Sequence, residues 1–124
     1  MDAIRETLRH FGDSLGLAAL DFNAQNVSAL DIENLGTLRF ERIADQVFLC
    51  LAREFPSHDH NLAERALVGV GLDKGHPFSV RPALYGENAL LLTARLNEKE
   101  FTLSNLERCI SLLGKIMDTV ERGA

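Results

Sequence analysis

The 124-residue chain has no tryptophan, one tyrosine, three prolines and two cysteines, and its 13 Lys and Arg are outnumbered by 18 Asp and Glu. Each shortage closes off a class of protein. Two cysteines cannot staple a disulfide scaffold, and Cys50 and Cys109 both sit inside apolar-periodic segments, as reduced, buried thiols do in a cytoplasmic protein. A hydrophobic content of 46% is too high for a disordered chain. The longest apolar run, residues 47–52, falls far short of the roughly 20 residues a membrane helix needs, so no membrane association is expected. The N-terminus, Met1-Asp2-Ala3-Ile4-Arg5-Glu6, is polar and lacks a basic-then-apolar pattern, so no secretory leader is expected. A net charge of −5 and a sequence pI near 5.3 disfavour a nucleic-acid partner. These exclusions leave a small, acidic, cytoplasmic domain covering residues 1–124.

What the chain does have is clean periodicity. Ile4, Leu8, Phe11 and Leu15 recur at helical spacing over residues 3–16, with Asp2 placed as N-cap and Gly16 as C-cap. From residue 27 to 55 the period is two. Leu30 and Ile32 alternate with acids, then Leu38 and Phe40 alternate with Arg39 and Glu41. Residues 47–52 are apolar at every position, which predicts a strand covered on both faces. The short connections between these three strands predict an antiparallel meander. Residues 59–70 return to helical spacing through Leu62, Ala63, Ala66, Leu67 and Val70, with Asn61 and Glu64 as a capping box and Gly69 and Gly71 as terminators.

Two more strands follow, one through Phe78, Val80 and Leu84 and one through Leu90, Leu92, Ala94 and Leu96, joined by the turn Gly86-Glu87-Asn88. Pro82 lacks an N–H, so its strand belongs at a sheet edge or a bulge. A last helix over residues 104–121 starts at the capping box Ser104-Asn105-Leu106-Glu107 and carries Leu106, Ile110, Leu113, Met117 and Val120 on one stripe. The order is α-β-β-β-α-β-β-α, an α+β fold with a twisted antiparallel sheet packed with helices.

Little in this pattern carries chemistry. His58-Asp59-His60, with His76 further along, could hold a metal, but it lacks the third and fourth ligands at diagnostic spacing, so no metal is expected. Gly69-Val70-Gly71 follows a helix instead of ending a strand, and no G-K-[ST] tail accompanies it, so it is no nucleotide loop. Cys50 lies mid-strand and Cys109 mid-helix, where core thiols are expected rather than nucleophiles. Asp31, Glu33, Glu41 and Glu54 fall on solvent-facing strand positions. No catalytic constellation and no cofactor follow.

The element order, in an acidic chain of this length, resembles the class I chaperones of bacterial type III secretion (the Tir chaperone family). Three stretches carry the resemblance: Phe11-Gly12-Asp13-Ser14-Leu15-Gly16-Leu17 at the end of the first helix; Leu35-Gly36-Thr37-Leu38-Arg39-Phe40-Glu41 leading into residues 47–52; and residues 88–96 followed by the capped last helix. One departure is the absence of tryptophan from the final helix. The resemblance implies a homodimer built on the middle helix and fourth strand, here Leu62, Ala66, Leu67 and Val70 with Phe78, Val80 and Leu84. A short alanine-containing helix beside a proline-bearing strand agrees with that, since it would leave an apolar patch too large for a monomer surface. The resemblance further implies binding of the extended N-terminal segment of a secreted effector, held non-globular before export. The contacts expected for it are Leu8 and Phe11 on the first helix and Leu30, Ile32, Leu38 and Phe40 on the early strands, each of which could equally be ordinary core. Two other readings compete: a subunit of a heterodimeric chaperone or regulatory adaptor, and a small metal-dependent enzyme using His58, His60 and His76.

Overall fold

Eight elements follow in the expected order in a computed structural model that describes residues 2–56, 61–71, 78–86 and 88–123. They are α1 (Ala3–Ser14), β1 (Val27–Ile32), β2 (Gly36–Ile43), β3 (Gln46–Glu54), α2 (Leu62–Gly71), β4 (Val80–Tyr85), β5 (Ala89–Asn97) and α3 (Leu103–Glu121). Asp2 caps α1 by accepting the Arg5 N–H through its carboxylate, and Gly16 turns the chain out of the helix at φ +76°. At α3 the cap is Thr102, whose hydroxyl accepts the Asn105 N–H at 3.2 Å. Ser104, expected at that position, lies inside the first turn. The hydroxyl two residues upstream already serves the free donors, so the helix begins earlier.

All five strands form one antiparallel sheet in the order β1-β2-β3-β5-β4. The first three strands form the expected meander. The chain then crosses through α2 to the far edge and returns inward, so β5 lies between β3 and β4. Pro82 explains why β4 takes the edge: a missing N–H costs a ladder bond in the interior and nothing where that side faces outward.

Buried residues on neighbouring strands are register partners, Leu38 with Leu51 with Leu92 and Phe40 with Leu49 with Ala94, so they share one face. The helices stand on that face. Phe40 joins the layers, edge-on to Phe11 of α1 at 5.8 Å between ring centroids and to Phe101 before α3 at 6.5 Å. The alternation places Phe48, Cys50 and Ala52 of β3 on the opposite face, where they are half-buried. This corrects the expectation of a doubly covered third strand. Among the described residues no helix stands over them.

Close approach fixes Gly36 and bears on Gly69. Gly36 opens β2 at φ +134°, and a Cβ there would stand 2.3 Å from the Ala52 carbonyl oxygen. Gly69, expected to end α2, lies inside it. Its missing side chain lets α2 settle on α3, where a Cβ would come within 3.2 Å of a Val120 methyl.

Candidate binding surfaces

The β1 edge carries unsatisfied backbone. Asn23 takes the outward groups of Val27, its side chain accepting the Val27 N–H at 3.0 Å and its N–H donating to the Val27 carbonyl at 2.8 Å. In an antiparallel strand outward groups alternate, so the N–H and C=O of Ala29 and Asp31 point the same way. Neither finds a backbone partner there among the described residues. Beside this edge, on the helix side, Leu30 and Ile32 are partly buried. Leu8, Phe11, Leu38 and Phe40, the other four expected client contacts, are 0%, 4%, 0% and 0% exposed. They are core. Apolar positions on an amphipathic helix and on the inner face of a strand fill the protomer first, and only the edge strand keeps side-chain surface.

The opposite edge carries an apolar seam. Leu67 and Val68 on α2 and Leu84 on β4 are 65%, 50% and 49% exposed, while Tyr85, 72% exposed, ends β4 on the opposite face of the sheet. Of the residues expected at a dimer contact, Leu67 and Leu84 belong to this seam and Val70 is partly buried. Leu62, Ala66, Phe78 and Val80 are buried in the core of the protomer. Periodicity missed the exposed Val68. The available signal for Val68 was that α2 is apolar nearly all round, which a helix with a single buried stripe has no need of. The position of α2 is fixed by Arg65, whose Nε donates to the Val120 carbonyl at 3.0 Å at the end of α3.

The same end of α3 anchors the β1–β2 turn. The Arg53 guanidinium, on the inner side of β3, donates to the Leu35 carbonyl at 2.8 Å and pairs with Asp118 at 2.9 Å and Glu121 at 3.5 Å. At the other end of the sheet Arg42 pairs with Asp2. That bond holds the Asp2 carboxyl below its ordinary value of 3.8, with the Arg5 N–H assisting and partial burial opposing. Burial pushes the Cys109 thiol up to about 12, so it is inert as a nucleophile; Cys50 is half-buried on the outer face. His58, Asp59, His60 and His76 lie outside the described residues. Among the described residues no group of three or more His, Cys, Asp or Glu could hold a metal ion, and no helix is long and apolar enough to cross a membrane.

An open strand edge lies at one end of the sheet and an apolar helix–strand seam at the other, and several solved structures share this fold. The chain is similar to a chain of the HopA1–SchA chaperone–effector complex, with a TM-score of 0.71 and 17% identity over 98% of this chain and 94% of that one. It is similar to a chain of the ExsC–ExsE complex, with a TM-score of 0.73 and 15% identity over 95% and 88%. A third similarity is to the Yersinia pestis type III secretion chaperone SycH complex with a fragment of YscM2, at 0.65 and 20% identity over 94% and 96%. No curated protein matches in sequence. Residues 3–121 match the family of the type III secretory system chaperone SycN, and the chain belongs to that family.

Proposed function

We propose that the protein works in the cytoplasm as a homodimeric, single-domain chaperone that binds the N-terminal segment of a secreted effector and keeps it non-globular until export. Family membership over residues 3–121 carries this reading. The client's path follows from the edges. β4 has Pro82 at its middle and exposed apolar side chains beside it, which suits side-chain packing between two copies and suits strand addition poorly. β1 offers the free N–H and C=O groups of Ala29 and Asp31, with Leu30 and Ile32 beside them to receive apolar side chains. Such binding needs no catalytic group, metal or cofactor.

The test mixes the protein with N-terminal fragments of the secreted protein encoded beside it. Ala29→Pro removes an outward N–H without touching the β1–β2 ladder, so the chaperone should stay folded and dimeric. Fragment affinity should fall by roughly tenfold, the equivalent of one or two net hydrogen bonds. Fragments that bind wild type and Ala29→Pro equally well would move the client off this edge. Binding only by the effector's folded C-terminal domain would make the protein a regulatory adaptor.

A further inference from the structure

The β1 edge offers backbone groups to an added segment, and backbone bonds read no sequence. Side-chain alternation narrows the choice only by half. Slipping a paired strand by one residue turns every side chain to the other face, whereas slipping it by two keeps each on its own. A segment whose apolar side chains lie beside Leu30 and Ile32 therefore has several registers open to it, two residues apart. Something other than the apolar pattern has to choose among them.

The outward positions of β1 are Val27, Ala29 and Asp31. Beyond them the chain turns, with the Leu35 N–H donating to the Ile32 carbonyl at 3.0 Å. At the other end Val27 is already taken. Asn23 imitates a strand partner there, its side-chain carbonyl standing in for a backbone one. The imitation is firmly held. The same side-chain oxygen accepts the Gln25 N–H at 2.8 Å. The Asn23 carbonyl accepts the Asn26 N–H at 3.0 Å, and the Asn26 carbonyl accepts the N–H of Arg42 in β2 at 2.8 Å. Phe22 is buried in the core, and Asp21 pairs with Arg5 of α1 at 3.3 Å. A loop tied to β2, to the core and to α1 resists displacement by an incoming strand. The open part of the edge is thus Ala29 and Asp31, closed by a turn at one end and by Asn23 at the other.

We propose that Asn23 is a positioning residue, which stops an added client strand at Ala29 and so fixes the register in which the effector segment is held. The inference rests on the reading of β1 as the client's edge and adds to it the one register allowed. In that register the client residue across from Leu30 faces the helices, and its two neighbours face the other way.

Amide hydrogen exchange of the full chain, followed residue by residue by NMR, tests this. The probe is the N-terminal fragment of the secreted protein encoded beside the chaperone. In the free protein the Asn23 and Val27 amides should be protected, while those of Ala29 and Asp31 exchange fast. The fragment should slow Ala29 and Asp31 roughly tenfold, as one net hydrogen bond each allows, and leave Asn23 and Val27 as they were. Asn23→Ala changes an exposed side chain and removes the oxygen that holds the Val27 N–H. Its free Val27 amide should exchange fast, and the fragment should then slow it too, the added strand having run on by two residues. Asn23→Asp keeps an acceptor oxygen and should behave as wild type. Loss of Asn23 protection when the fragment binds wild type would overturn the proposal, because the client would then displace the stop. So would a Val27 amide that stays fast in Asn23→Ala with the fragment bound, because the strand would end at Ala29 unaided. In both cases Ala29 and Asp31 remain protected and the client reading stands. A fragment that protects neither of them removes the client from this edge, and the proposal falls with it.

Discussion

At the scale of single residues, Asp2 does two jobs, capping α1 and holding Arg42 of β2. Its folded carboxyl titrates below 3.8, so the ion pair stabilises the protein fully above that value and ceases to as pH falls through the depressed one. Asp2→Asn keeps a capping oxygen and loses the charge. Wild type should therefore melt above Asp2→Asn at neutral pH, and the gap should close on acidification below 3.8. A gap that persists unchanged at low pH would show that the charge is idle. Gly36 is fixed more rigidly, by φ +134° and the Ala52 carbonyl behind it. Gly36→Ala should cost about 1–3 kcal/mol, read as a lower denaturant midpoint at constant slope.

At the scale of elements, α2 is the informative one because one side is buried in the protomer and the other is exposed. Ala66, 2% exposed, packs inward, and Leu67, 65% exposed, looks away from the protomer. The same substitution at adjacent positions should therefore give opposite failures. Ala66→Asp buries an unpaired charge and should unfold the protein, at a cost of several kcal/mol or about that order. Leu67→Asp should leave a folded protein with an unchanged circular dichroism spectrum and half the light-scattering mass. A Leu67→Asp protein that still scatters as a dimer would move the two-fold contact off this helix. The sequence placed α2 correctly, yet it could not sort these sides. Its apolar residues run almost all round, and only the position of α3, set through Gly69 and Arg65, decides which of them are inside.

At the scale of the whole molecule, the proposed client exchanges a solvated chain for one ordered along the chaperone. Ordering costs roughly 1–2 kcal/mol per residue, so the contact must be long and apolar. Calorimetry of an effector fragment should then show a large negative heat-capacity change, and the bound fragment should resist protease without gaining a core of its own. A small heat-capacity change would point to a compact, preformed partner. Local pattern was enough for much of this protein. Periods of 3.6 and two gave all eight elements in order, because each amphipathic segment must bury one side whatever it lies against. Asp2 and Pro82 marked a helix start and an edge strand by chemistry that acts within a residue or two. The tertiary structure alone decided which apolar residues remain for partners. Leu8, Phe11, Leu38 and Phe40 carry the same pattern as Leu30 and Ile32, and β3 is apolar on both faces while helices stand on one. Burial is settled by which segments meet across the sheet order β1-β2-β3-β5-β4, and that order depends on contacts between residues far apart in the chain.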